Sequence, residues 1–300
     1  MERIATIGQQ TFLLGNIIDA QARMFNTQTQ ISTGKLTQFH TDIARDTTRL
    51  LDFETNLGRT EQFIANNHRL TARLERMDSA LSGMFDALSR LRSLLLQRQN
   101  AATGDAGAFD VEFESLLETV AGLMNTREDG RYLFSGSMTN VAPVADPVTD
   151  PAAFGVPDAT YYQGDSIQLS VRVDIDFTVS YGIEGNRIGF QRMIGAFKAA
   201  IEGNAMNDAG MLDTAIDLAS QAITDITNYR SEAGSKLKIV DETTSRHLDF
   251  KVFLLNQIDS IENVDVTQAV IRLTNDQTIL QASFMTLSQL SQITLVEFLR

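Results

Sequence analysis

No proline occurs before Pro143 or after Pro157, so all four fall in one short window. Proline inside a helix removes a backbone hydrogen bond and clashes with the preceding turn. Two long proline-free flanks are therefore free to form uninterrupted helices, and the window between them marks a boundary.

The flanks carry helical periodicity at both ends. Val266, Val270, Leu273, Gln277, Leu280, Phe284, Leu287, Ser291, Thr294 and Phe298 follow a 4-3-4-3 spacing, the mark of a coiled-coil seam. At the other end Ile4, Ile7, Thr11, Leu14, Ile18, Gln21, Phe25, Gln28 and Ser32 repeat it, and Leu13, Ile17, Met24 and Ile31 widen the apolar face. Charge is sparse on both segments. A helix solvated on its back carries Lys and Glu there; an uncharged back suits a helix enclosed by others. The two ends are thus expected to pair with each other, with Met1 near Arg300 and the rest of the chain looping out between them.

Between the ends, the strongest periodicity runs Phe63, Asn67, Leu70, Leu74, Met77, Leu81, Met84, Leu88, Leu91, Leu95, with arginines and acids behind it. It predicts a helix of about 40 residues and about 60 Å. Phe39 to Leu51 reads as a turn and a short helix. Gly104 to Gly107 makes a turn, and Phe109, Phe113, Leu116, Val120 and Leu123 return as a second helix that Asp129-Gly130 stops. Ile167, Leu169, Val171 and Val173 alternate with polar residues, as do Phe177, Val179 and Tyr181, which predicts a hairpin turning at Asp174–Asp176. A second long helix is expected from Asp208 to Asp259, interrupted at Gly234, with Asp265 as the cap of the last helix.

The expected fold is mainly α: an elongated bundle of long antiparallel helices, the terminal helices paired as a coiled coil, with a small β-rich insert. The expected domains are 1–40 with 262–300 for the terminal coiled coil, 41–130 with 186–261 for a helical rod, and 131–185 for the insert.

Composition narrows function by exclusion. A formal charge of −13 argues against an electrostatic nucleic-acid footprint. The absence of Cys removes disulfides and thiolate chemistry. The N-terminal apolar run Phe12-Leu13-Leu14 is too short for a cleaved signal peptide, and no stretch is long enough to insert in a membrane. His40, His68 and His247 are isolated, and Asp146 to Asp150 fit no calcium loop. No nucleophile elbow, dinucleotide fingerprint or phosphate loop appears. The expectation is no enzyme, no metal and no cofactor.

Several short motifs, in order, resemble the bacterial flagellin superfamily. Ile31-Ser32-Thr33-Gly34-Lys35 is similar to the IS(S/T)GK that closes the first flagellin helix. Leu88 to Asn100 resembles the flagellin L-x-R-x-R-x-L-x-x-Q-x-x-N, and Gly130-Arg131-Tyr132-Leu133-Phe134-Ser135-Gly136 the GRYLF(A/S)G of its hook-associated members. Tyr161-Tyr162-Gln163-Gly164-Asp165 and the ending Leu287 to Leu299 also resemble that branch. Leu36 to Asp42 departs from the family's PSDDP-like loop.

The resemblance implies a structural subunit that joins the flagellar hook to its filament and is secreted without a cleaved signal through type III export. It would self-assemble as a homo-oligomeric ring, meeting a neighbouring hook-associated protein and flagellin, with an export chaperone before assembly. The assembly interface would use Ile7, Leu14, Ile18, Phe25, Leu273, Leu280, Phe284, Leu287 and Phe298. A short flagellin and a surface-binding module with a ligand site in the insert are the alternative readings.

Overall fold

A computed structural model describes residues 2–36, 46–100, 106–145 and 157–298. The element order is α1 (Glu2–Thr33), α2 (Thr47–Asn100), α3 (Ala106–Met124), β1 (Arg127–Glu128), β2 (Arg131–Tyr132), β3 (Leu169–Asp174), β4 (Phe177–Tyr181), α4 (Ile188–Ala205), α5 (Ala209–Glu262) and α6 (Val266–Phe298). The chain divides into two compact units: Met1–Arg59 with Lys251–Arg300, and Thr60–Phe250.

In the first unit α1 packs against α6. The pairing is secured where α1 ends. Gly34 takes a φ of +70°, left-handed backbone that a glycine adopts without strain, and its N–H returns to the Gln30 carbonyl. The chain then bridges to the short link between α5 and α6. Leu36 N–H donates to the Glu262 carbonyl at 2.7 Å and Val264 N–H to the Gly34 carbonyl at 2.9 Å. Lys35 Nζ meets Glu262 Oε2 at 3.0 Å. Asp265 caps α6 through Oδ1, which accepts from the Gln268 N–H at 3.2 Å. Further along, Arg23 of α1 reaches Asp276 of α6 at 3.5 Å, so the two helices run antiparallel. In the same unit Leu50 of α2 and Leu254 of α5 are fully buried.

The second unit holds a continuous apolar core. Met77 to Leu95 of α2, Phe113 to Met124 of α3, Phe190 to Ala200 of α4 and Leu212 to Ala233 of α5 bury one face each. Three glycines admit close approach: a Cβ at Gly83, Gly189 or Gly203 would fall 2.6–2.9 Å from a side-chain carbon of Leu123, Asp225 or Met211. Arg98, itself buried, ties helices together through Asn204 and through Asn207 Oδ1 at 2.8 Å, and Asn204 bonds Asp110.

Both hairpins belong to this unit. β3 pairs antiparallel with β4, turning through Ile175-Asp176 as the alternation predicts. Val173, Val179 and Tyr181 face Leu70, Leu74 and Val240 in a smaller core. Asn67 Nδ2 and His247 Nε2 both reach the Val173 carbonyl, at 3.3 and 2.9 Å, and the His247 ring stacks on Phe63 at 5.3 Å.

The motifs singled out in the sequence interlock here. Asp129 (φ 51°) and Gly130 (φ 73°) form the tip of the β1–β2 hairpin, after which Leu133 and Phe134 enter the core. The Phe134 carbonyl accepts from the Gly185 N–H at 2.8 Å and from Tyr162 Oη at 3.1 Å. Tyr161 Oη donates to the Gly185 carbonyl at 2.6 Å. The Asp165 carboxylate accepts from the Ser137 hydroxyl, from the Ser137 N–H at 2.7 Å and from the Ile167 N–H at 3.1 Å. Those bonds, the Ser137 hydroxyl foremost, hold its carboxyl below the usual aspartate range. Beside this knot Arg187 bridges Glu184 at 2.6 Å and Glu232 at 2.8 Å. Burial opposes the charge on Glu232, but hydrogen bonds from Lys236 and Arg187 outweigh it and keep its carboxyl below the normal range.

Four expectations are corrected. The second helix is 54 residues, about 80 Å, and includes Thr47 to Leu51 rather than leaving them in a separate short helix. Asp129-Gly130 does not stop α3, which ends at Met124; the Asp-Gly pair supplies the two positive φ angles of a tight hairpin. Gly234 does not interrupt α5, which runs unbroken from Ala209 to Glu262. The α1 face turned to α6 is the flank with Leu13, Ile17, Met24 and Ile31, and the Leu14, Ile18 and Phe25 side of the expected face is left open. The proximity of Met1 to Arg300, residues 39–45 and the Gly104-Asp105 turn lie outside the described residues.

Candidate assembly interface

The face that α1 gives to α6 is the stripe Leu13, Ile17, Ala20, Met24, Thr27, Ile31, all buried or half-buried. On α6 the matching stripe is Ala269, Leu273, Asp276, Leu280, Ser283, Leu287. Both follow 4-3 spacing, with Ala20 and Thr27 on α1 and Ala269, Asp276 and Ser283 on α6 as the small or polar positions. Ala20 and Ala269 are almost completely covered, so the backbones approach closely and little apolar area is buried between them.

Further large apolar side chains lie outside the contact stripe. Leu14, Ile18 and Phe25 share a second stripe of α1, and Phe25 keeps 70% of its surface exposed. On α6, Val266, Val270 and Phe284 are exposed beside the contact stripe, while Ile271 and Met285 are exposed on the opposite side. Of the residues expected to form an assembly interface, Leu14, Ile18, Phe25 and Phe284 are therefore open to solvent. Leu273, Leu280 and Leu287 are half-buried toward α1. The side chains of Ile7 and Phe298 lie outside the described residues. Sequence reasoning included Leu13, Ile17, Met24, Ile31, Leu273, Leu280 and Leu287 and missed Ala20, Thr27, Ala269, Asp276 and Ser283, whose small or polar side chains give a weak hydrophobic signal. The legible cue was a heptad of small or polar residues: Ala20 with Thr27, and Ala269 with Asp276 and Ser283.

The polar side chains of these helices are largely self-satisfied. The hydroxyls of Thr27, Thr29, Thr33, Thr274, Thr278 and Thr286 each donate to the carbonyl four residues earlier, at 2.8–3.0 Å. A hydroxyl bonded this way enters a packed interface without leaving an unmade hydrogen bond. Charge is also nearly balanced: the unit has nine Lys and Arg against eleven Asp and Glu, so it holds two of the chain's thirteen net negative charges.

Among the described residues no group of three or more His, Cys, Asp or Glu side chains is placed to hold a metal ion. No described helix is long and apolar enough to cross a membrane. His247 is a packing residue, committed to the Val173 carbonyl and the Phe63 ring.

Two helices paired along a stripe of mixed apolar and small residues, with further large apolar groups left open and a second helical unit between them in sequence, define a class of protein. The N-terminal helical region of bacterial flagellin matches residues 4–139 and the C-terminal helical region matches 216–299. Together these span more than two thirds of the chain, which belongs to the bacterial flagellin superfamily. Within it, the chain is similar to flagellar hook-associated protein 3 of Escherichia coli, 20% identical over 311 residues that cover 94% of each protein. A hook-associated protein structure from Vibrio parahaemolyticus shares the fold with a TM-score of 0.61 and 16% identity, covering 72% of this chain and 97% of that one. The Bacillus cereus FlgL structure matches with a TM-score of 0.58 and 21% identity, over 70% of this chain and 99% of its own.

Proposed function

We propose that this chain is a structural subunit of the bacterial flagellum that joins hook to filament, with no catalytic role. The observation that carries the reading is the set of large apolar side chains left open outside the α1–α6 contact: Leu14, Ile18, Phe25 and Phe284. Full burial of a large apolar side chain contributes roughly 1.5–3 kcal/mol. Several such groups per copy favour packing against further copies, and the near-neutral surface and back-bonded threonines make that packing inexpensive in desolvation. The likeness to hook-associated protein 3 over nearly its whole length supports the junction as the place of assembly.

On this reading Ile7, Leu14, Ile18, Phe25, Phe284 and Phe298 form contacts between copies in a homo-oligomeric ring. Leu273, Leu280 and Leu287 hold α6 to α1 within each copy. The adjoining partners are a neighbouring hook-associated protein on one side and flagellin on the other, with an export chaperone before assembly. The subunit reaches the extracellular flagellum by an export route that cleaves no signal peptide. Deletion is expected to leave hooks without attached filaments, restored by the wild-type chain and not by Phe25→Asp. A deletion strain that still carries full filaments overturns the reading. Abundance in sheared filaments equal to that of the filament protein would instead identify a short flagellin.

A further inference from the structure

The β3–β4 hairpin lies across α2 and α5 of the second unit and pairs with no further strand among the described residues. Its apolar contact is a separate cluster: Val173, Val179 and Tyr181 cover Leu70 and Leu74 of α2 and Val240 of α5, apart from the main core. Polar side chains from both helices fasten it. A register shift between Arg172 and Asp174 leaves Val173 without a paired residue. Its carbonyl accepts instead from Asn67 of α2 and His247 of α5. Arg73 Nη1 donates to Tyr181 Oη at 3.0 Å. Two of these fasteners are incompletely bonded. Asn67 Oδ1 and Arg73 Nε are buried without a hydrogen-bond partner, a state shared among the described side chains only by Ser135 Oγ.

We infer that the β3–β4 hairpin is a releasable strap, which lifts from α2 and α5 while the main core of the unit stays closed. Closed, it buries a small apolar patch and leaves Asn67 Oδ1 and Arg73 Nε unpaired, which is costly. Lifted, both atoms and His247 gain water as a partner, and this offsets part of the lost burial. At the exit from β4, Gly182 has φ +101°, so the strap is joined to the chain there by a residue with few steric limits. A lone two-stranded hairpin is marginal in water, so the ladder is lost as the strap lifts. The Val173 carbonyl takes one bond from each long helix, so lifting also removes a link between α2 and α5.

The chain has no cysteine, so one introduced thiol reports on the strap. Val240, beneath the hairpin, and Ile226, in the main core of the same helix, are both fully buried. In the full-length protein under native conditions, Val240→Cys is expected to react with a thiol reagent at least about 100-fold faster than Ile226→Cys. Low urea is expected to leave the first rate nearly unchanged and to accelerate the second, because the two openings expose different amounts of surface. Adding His247→Ala is expected to speed the reaction of Val240→Cys about tenfold and to leave Ile226→Cys unchanged. Hydrogen exchange on the unsubstituted chain makes the same comparison without a variant, β3 and β4 amides against those of α2 from Met77 to Leu95. Equal rates with equal urea dependence, by either method, overturn the inference, since the hairpin then parts only with the whole unit.

Discussion

At the residue scale, Asp165 and Gly136 show how a recognisable motif turns into a fixed loop. Gly136 has φ +66°, and a Cβ there would fall 2.2 Å from Asp165 Oδ1, so Gly136→Ala is strained by both backbone and crowding. Thermal melts of the full chain are expected to place Gly136→Ala well below wild type, with a loss of roughly 1–3 kcal/mol. Asp165 carries a pH signature. Folding lowers its proton affinity, so its stabilisation is complete above the ordinary aspartate range, near pH 4, and fades as pH falls through its lower folded value. Asp165→Asn should therefore melt below wild type at pH 7, the gap closing as the pH drops beneath the ordinary aspartate range. A gap that is constant with pH would show that Asp165 makes no charge-dependent contribution.

At the scale of elements, much was legible in the residues, for definite reasons. The long helix before Asp265 and the β3–β4 alternation follow period and backbone preference, and the structure has both. What misled was local punctuation weighed without its context. Gly234 sits where a Cβ would meet nothing within 4 Å, and a single helical glycine costs about 1 kcal/mol, too little to break a helix packed along its length. Of the stripe that pairs α1 with α6, the apolar members were legible, whereas Ala20, Thr27, Asp276 and Ser283 stayed hidden because they look unremarkable one at a time. Two substitutions separate the faces. Ala269→Phe, at a fully buried site, is expected to lower the stability of the monomer by about 1–3 kcal/mol through overpacking. Phe25→Asp, on the open stripe, should leave the monomer's melting within about 2 °C of wild type and still abolish filament attachment. Equal melting losses in both variants would mean that the open stripe is part of the monomer's own packing.

For the molecule as a whole, the two units differ in how much apolar surface secures them. The second unit buries whole faces of four helices, whereas along α1 and α6 the fully covered apolar residues are Ile17, Ala20 and Ala269 among those described. Ordering a residue costs about 1–2 kcal/mol, and thin burial offsets little of it. Hydrogen exchange on the monomer should therefore run at least about 100-fold faster in α1 and α6 than in α2 between Met77 and Leu95. Slow exchange in the terminal helices of the monomer would show that they are secured without neighbours.

The splice of Gly34, Lys35 and Leu36 to Glu262, Asn263 and Val264 also sets a timetable. The stretch that locks α1 in place is translated more than two hundred residues after it, and α6 itself comes later still. During synthesis α1 therefore waits for the 262–264 link and α6 before it can dock. Until that splice forms, α1 lacks the Glu262 carbonyl and carboxylate to which its end is fastened.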